Sequence, residues 1–194
     1  MNVEFFNDML KKDKVLEAFE KAKAFCADFA PEMEKEGYCE ENFEQYSPEI
    51  KTKLMRYKAC TEFFSGDIDA YDVANRVEDA VAAVKDKERF YDPEQLFEAK
   101  DTMIDALRIV SLPFQPSRIM LDNYIANPVY TYDYEDIKLQ CSDPNLNMFV
   151  DYFDKKIKAE DFEGYGMIGV SICDLSQIIP GLTLAKYLRE RTNA

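Results

Sequence analysis

Histidine and tryptophan are both missing from the 194-residue sequence. Without an imidazole side chain, the chain cannot form a Ser-His-Asp or Cys-His catalytic group, a His-ligated zinc or iron site, or an imidazole axial ligand. The five cysteines are irregularly spaced and include no CxxC pair, which excludes a zinc ribbon and an iron–sulfur loop. We therefore expect reduced, mostly buried thiols and no metal bound by this chain.

Basic residues are also scarce. The sequence has 24 Lys and Arg against 38 Asp and Glu, which gives a formal net charge of −14. Nucleic acids are bound mainly by clustered Lys and Arg that contact phosphates, and no run in this chain is densely basic. We expect no nucleic-acid partner.

Long apolar runs are absent too. No stretch approaches the roughly 20 apolar residues that span a bilayer, and the N-terminus lacks a basic start followed by an apolar run. Apolar residues nevertheless make up 47% of the chain and aromatic residues 13%, which is typical of a folding protein. The sequence predicts a cytoplasmic protein with no membrane partner.

Helical periodicity dominates residues 1–112. Apolar residues recur at three- and four-residue steps from Val15 onward, in a helix that we expect to end at Pro31 and then Gly37. Further start signals stand at Ser47-Pro48, near Asp67 or Asp69, and at Asp92-Pro93, where Gln95 would complete a capping box. These residues are predicted to form a helical bundle.

The pattern changes at Pro113, where prolines and tyrosines interrupt the helical periodicity. Residues 113–194 predict a strand at Arg118–Ile125, a helix at Asn145–Ala159, a strand at Met167–Cys173 and a final helix after Gly181. Two parallel strands joined by a helix form a right-handed βαβ unit. The predicted fold class is therefore α/β but mostly helical: a bundle at 1–112, then an incomplete Rossmann-like βαβα unit with short parallel strands at 113–194.

Two strands rarely support an independent α/β layer. We expect the sheet to be completed beyond residue 194, in which case the chain is a fragment of a longer protein. The alternative is that a second copy of the chain caps the open sheet edge and forms a dimer.

A candidate ligand site follows from this prediction. Ligands of open parallel sheets bind beyond the carboxyl ends of the strands, where unsatisfied N–H groups point outward. The polar residues predicted at that edge are Ser171, Asp174, Ser176, Gln177 and Asp122. A local role is the alternative for each: Asp174 or Ser176 would cap the last helix or close a turn, and Ser171 would bond neighbouring backbone.

The segment GYGMIGVSICDLSQIIPGLTLAKYLRERTNA resembles the cobalamin-binding-type module at the N-terminus of B12-dependent radical SAM proteins, most strongly over Gly166–Arg191. The resemblance implies that Ser171 contacts the nucleotide tail of cobalamin. It aligns Asp122 with the start of the family's DxHxxG element, although Tyr124 replaces the histidine and no histidine can ligate cobalt. The 4Fe–4S cluster and S-adenosylmethionine would be bound in a parent Fe-S oxidoreductase, beyond residue 194.

Two functions are consistent with these expectations. The first is a non-catalytic module that positions cobalamin or a substrate, such as a peptide, for a downstream radical SAM domain of the same polypeptide. The alternative is a degenerate Rossmann-like or helical interaction domain that binds a protein or peptide partner and no cofactor. A stand-alone enzyme has little support, because the sequence contains no nucleophile–base pair and no phosphate loop.

Overall fold

Helices form most of the chain, as the sequence predicted. The computed structural model describes residues 3–192. The helices are α1 (Val3–Met9), α2 (Lys12–Glu36), α3 (Pro48–Phe64), α4 (Ala70–Lys85), α5 (Lys87–Phe90), α6 (Pro93–Ser111), α7 (Tyr134–Gln140), α8 (Phe149–Lys156) and α9 (Ile178–Arg191). Short 3-10 helices lie at Glu40–Gln45, Leu112–Phe114, Ala159–Phe162 and Leu175–Gln177. Within the described range no helix has the length and apolarity to cross a membrane.

Three of the helix starts are formed by the side chains that the sequence indicated. The Ser47 hydroxyl accepts a hydrogen bond from the N–H of Ile50, and Asp69 accepts bonds from the first turn of α4. Asp92 does the same at the start of α6. The Gln95 amide donates to the Asp92 carboxylate at 2.8 Å rather than accepting from the Asp92 N–H, so the second half of the predicted capping box is not formed.

The end of α2 agrees with the prediction at Gly37 and differs from it at Pro31. The helix continues through Pro31 to Glu36, and Gly37 ends it with a positive φ of 68°, which glycine adopts without strain. The buried Phe29 stacks on Phe25 at 5.5 Å and on Tyr38 at 6.4 Å. Because the Phe29–Tyr38 contact joins residues before and after Pro31, packing supports the helix at a position where local preference would have ended it.

One hydrophobic core includes residues from both sides of the predicted boundary between residues 112 and 113. The Phe5 ring from α1 lies 4.5 Å from that of Phe149 in α8, measured between centroids. Buried Arg56 of α3 donates to the carbonyl oxygens of Gln115 at 3.1 Å and Asn145 at 2.7 Å. The division into two domains stays a prediction, but these contacts join residues 1–112 to residues 113–194.

The predicted parallel sheet is not formed within residues 3–192. Strands β1 (Arg118–Ile119) and β2 (Tyr124–Ile125) pair antiparallel, with Arg118 opposite Ile125 and Ile119 opposite Tyr124. Asp122 and Asn123 belong to the turn between them, which the N–H of Met120 closes by donating to the carbonyl of Asn123 at 2.8 Å. Turn-forming Asp and Asn therefore split the predicted strand into a hairpin. The Rossmann-like βαβα unit is not confirmed.

The helices of the C-terminal part also differ in extent. Sequence analysis missed α7, which begins where the Asp133 carboxylate accepts a bond from the Asp136 N–H. The helix predicted at Asn145–Ala159 is limited to α8, and the last helix, α9, starts earlier than predicted, at Ile178. The chain between α8 and α9 contains two short 3-10 helices and no strand.

Candidate functional site

Residues 166–173, here named the 166–173 segment, are predicted as a buried strand but belong to neither a helix nor a strand in the structure. Ile168 and Val170 are half-buried, whereas Met167, Gly169 and Ser171 between and beside them are exposed. From Met167 to Ser171 this alternation is the period of a β-strand with one face against the protein, although Ile172, the next residue on the inner face, is 39% exposed. The segment has the side-chain pattern of a strand without a partner strand.

Helix α9 supports the inner face of this segment. A methyl group added to Gly181 in its first turn would lie 2.7 Å from Cγ1 and 2.8 Å from Cδ1 of Ile172. It would also lie 3.9 Å from Cγ1 of Val170. Because the two distances to Ile172 are shorter than ordinary carbon contacts, the Ile172 side chain would have to move to accept a larger residue at position 181.

The backbone of the segment is largely unbonded. Within the described chain, no backbone N–H or C=O group of residues 166–172 has a hydrogen-bond partner. The N–H of Cys173 donates to Oε1 of Gln177 at 2.9 Å, which closes the segment at its C-terminal end. Unpaired backbone groups of this kind are characteristic of the edge strand of a sheet.

Four of the five predicted site residues make local contacts. Ser171 Oγ lies 3.2 Å from Cys173 Sγ, and Gln177 binds the Cys173 N–H. The Asp174 carboxylate accepts a bond from the Ser176 N–H at 2.8 Å and caps the 3-10 helix Leu175–Gln177. Hydrogen bonds from the side chain and N–H of Ser176 lower the pKa of Asp174. The cap formed by Asp174 agrees with the local role that the sequence left open, whereas Ser171 contacts the Cys173 thiol and not the neighbouring backbone.

The fifth predicted site residue lies elsewhere. Asp122 lines a cleft beside α6, whereas Asp174 and Ser176 line a different cleft of about 520 Å³ with Tyr130 and Tyr132. The structure thus brings Asp174 and Ser176 together and separates them from Asp122. The end of the predicted first strand nevertheless lies near these residues, because Asn123, Tyr124 and Ile125 line the same cleft as Asp174 and Ser176. No parallel sheet joins them, since β1 and β2 pair with each other.

Cobalamin does not fit this arrangement. Its predicted site requires the carboxyl edge of a parallel sheet, and the described residues form none. Ser171, Asp174 and Gln177 are already engaged in local contacts, and Asp122 lines another cleft. Nor does any group of three or more Cys, Asp or Glu residues within the described range lie close enough to hold a metal ion. The cobalamin site therefore stays a prediction from the sequence resemblance.

The surroundings of the 166–173 segment are apolar and acidic. Met167 is 86% exposed and Leu175 is 73% exposed, and Tyr165 is exposed as well. Four exposed carboxylates flank the segment and form no ion pair within residues 3–192: those of Glu160, Asp161, Glu163 and Asp174. Sequence analysis named only Asp174 among these. The acidic residues on both sides of a β-branched run were the signal that could have identified the rest.

Comparison with known proteins yields no match of any kind. No protein-family model matches the sequence. No curated protein matches it, and no solved structure matches its fold. Function is therefore inferred from the geometry of the described residues.

Proposed function

We propose that this chain is a helical interaction domain that binds an extended segment of a protein partner by adding that segment as a β-strand beside residues 166–173. One observation carries the proposal: the segment combines strand-like alternation with backbone groups that have no partner in the described chain. This is the interaction-domain alternative from the sequence, placed at a specific surface. No cofactor takes part.

The backbone supplies the affinity in such a complex. In β-strand addition, an extended peptide pairs its main-chain N–H and C=O groups with those of an exposed edge. Each hydrogen bond contributes about 0.5–1.5 kcal/mol net, so several are needed for a stable complex. Two residues of the 166–173 segment, Val170 and Ile172, already contact α9 at Gly181, which lowers the entropy lost on pairing.

The charges around the segment favour a basic partner. Four unpaired carboxylates lie within or next to its flanks, and Lys158 is the only basic residue between positions 158 and 177. A peptide with Lys or Arg on either side of a β-branched core would place opposite charges beside these acids. Exposed Met167 and Leu175 would contact the apolar side chains of that core.

A second copy of the chain is a weaker candidate for this edge. In an antiparallel self-pair, Glu163 of one copy would approach Asp174 of the other, and like charges placed across a pair of strands are destabilising. The dimer predicted from the sequence therefore remains a competing outcome for the experiment. The cobalamin-type module and its downstream radical SAM domain depend on a parallel sheet and have only the sequence resemblance in their favour.

Hydrogen–deuterium exchange with synthetic peptides tests the proposal. The probe is a twelve-residue peptide with alternating Val and Thr and two Lys at each end. One control is the same peptide with Glu in place of Lys at its ends. Two further controls are N-methylated at alternate residues, one at the even and one at the odd positions, so that each blocks the N–H groups on one edge of the peptide strand. We expect amides 166–172 to exchange rapidly in the free protein and to become protected by the Lys-ended peptide.

Three results would contradict the proposal. They are strong protection of amides 166–172 in the free monomer, equal binding of the Lys-ended and Glu-ended peptides, and equal binding of the parent and both N-methylated peptides. Protection that increases with protein concentration alone would indicate the dimer instead. The variant Glu160→Gln/Glu163→Gln should weaken binding of the Lys-ended peptide, whereas Glu34→Gln/Glu62→Gln, with the same change in charge on α2 and α3, should not.

A further inference from the structure

A second cleft, of about 470 Å³, lies between α6 and the β1–β2 hairpin. Its charged rim includes Lys100, Arg108 and Arg118, and its apolar surface includes Ile104 and Met120. We propose that this cleft binds an amphipathic carboxylate, with the apolar chain against Ile104 and Met120 and the carboxylate on the basic rim. This inference does not depend on the proposed partner strand.

The spacing of residues on both elements builds the cleft. On α6, Lys100, Ile104 and Arg108 recur every four residues, which places them on one face of the helix. On β1 and just after it, Arg118 and Met120 are exposed on either side of buried Ile119, and all three residues line the cleft. The two elements thus present alternating cationic and apolar side chains to the same space.

A buried serine sets the position of the hairpin against α6. Ser111 Oγ donates to the carbonyl of Leu107 at 2.7 Å and accepts from the N–H of Ile119 at 3.0 Å. Ser111, Leu107 and Ile119 are each at most 2% exposed. Because this bridge is fully buried, the cleft has a fixed base, as preformed ligand sites usually do.

The charge of the cleft is opposite to that of the whole protein. Three cations line it against one acid, Asp122, in a chain whose net charge is −14. Within residues 3–192, the Lys100 and Arg118 side chains form no ion pair or hydrogen bond, and Arg108 contacts only Asp105, at 3.5 Å. Arg76 and Arg89, which line another cleft, are paired with carboxylates. Unpaired cations are available here for an anion.

The apolar surface narrows the class of anion. Ile104 is 37% exposed and Met120 is 44% exposed, so both leave apolar area in contact with water. An inorganic anion would leave that area uncovered, and a neutral lipid would leave the cations without a partner. A carboxylate on an apolar chain pairs with the cations and also covers the apolar area. Arginine binds carboxylates in a bidentate geometry, and the chain removes the apolar area from water.

Calorimetric titration with decanoate, below its micelle concentration, tests the inference, with decanol as the uncharged probe. We expect decanoate to bind more tightly than decanol, and its binding to weaken as NaCl is raised. Arg118→Gln should weaken decanoate binding at least tenfold, since it removes a charge-assisted contact. Asp122→Asn should tighten it. Arg76→Gln, an equal change in charge on α4, is the matched control and should leave it unchanged.

Results of several kinds would overturn the inference. They include no decanoate binding at millimolar concentration, equal affinity for decanoate and decanol, and an equal effect of Arg118→Gln and Arg76→Gln. Ile104→Asn is a second test of the inference. It should weaken the binding of both decanoate and decanol, because it removes apolar surface from the cleft. Thermal unfolding of each variant shows whether it is folded, since residues 104 and 118 are both exposed.

Discussion

Ile172 packs against Gly181 so closely that a side chain at position 181 would displace the end of the isoleucine. A Cβ at position 181 would lie within 2.8 Å of two Ile172 carbons. This contact joins the 166–173 segment to α9 and keeps one face of the segment against the protein. It also gives the segment a defined position although it belongs to no sheet.

The Ile172–Gly181 contact predicts coupled mutational effects. In an Ile172→Ala background, Gly181→Ala should stabilise the protein by up to about 1 kcal/mol, because alanine is the better helix former. With Ile172 present, the same substitution should give less stability or a loss, since Ile172 must move. Urea unfolding of the four proteins gives the coupling energy, which we expect to be about 1 kcal/mol. Additive effects would show that the two side chains do not meet.

Arg56 is predicted to be a major structural residue. It is 8% exposed, bonds two backbone carbonyls that lie far away in sequence, and lies over the Phe25 ring at 5.2 Å. Burial lowers its pKa. Arg56→Ala should destabilise the protein by about 2–4 kcal/mol, because both carbonyls lose a charge-assisted partner.

The measurement is the free energy of unfolding in urea. The control is Arg76→Ala on α4, whose arginine forms an exposed ion pair with Asp72. That variant should change stability by at most about 1 kcal/mol. Similar losses in the two variants would contradict the structural role of Arg56.

Glu17 should make stability depend on pH in the acid range. Hydrogen bonds from Lys14, at 2.6 Å, and Lys21 lower its pKa to about 2 from an ordinary 4.5. A carboxyl with a lowered folded-state pKa stabilises the protein above the unfolded pKa, and that stability is lost as the pH falls from about 4.5 to about 2.

The contribution is small, at most about 1 kcal/mol, because the three side chains are partly exposed and screened by water. The urea midpoint of Glu17→Gln should therefore approach that of the native sequence as the pH falls from 5 to 2. In high salt the difference at pH 5 should shrink. A constant difference over the whole pH range would disprove the assignment.

The cysteines should react with a thiol reagent in a defined order. Cys173 is exposed in the 166–173 segment, whereas Cys60 and Cys141 are buried. Burial raises the pKa of Cys60 to about 12 and raises that of Cys141. At neutral pH the thiolate of Cys60 is therefore rarer by a factor on the order of 1,000 than that of an ordinary cysteine. We expect Cys173 to be labelled first and Cys60 only after unfolding.

Mass spectrometry of the labelled peptides measures this order. Cys173→Ser should remove the fastest phase and leave the others unchanged. Addition of the Lys-ended peptide should slow the labelling of Cys173, which gives an independent reading of partner binding. Rapid labelling of Cys60 in the folded protein would contradict the structure.

The helix starts were predictable because their signals are local. Asp69 and Asp92 accept bonds from residues two and three positions later, so the sequence contains both members of each contact. The missed helix α7 has the same signal at Asp133, hidden by neighbouring tyrosines and prolines. Three of the five thiols are not fully buried, contrary to expectation, because their exposure depends on packing partners far along the chain.

The sequence by itself determined the mostly helical character, the starts of α3, α4 and α6, and the acidic surface, since each depends on composition or on neighbours a few residues apart. Tertiary structure alone decided whether residues 167–173 would find a partner strand, whether Pro31 would end its helix, and where Asp122 would lie. Strand pairing joins backbone groups that are distant in sequence, and a β-branched run is equally compatible with a central strand or an open edge. Here the run lies on α9 with its edge open.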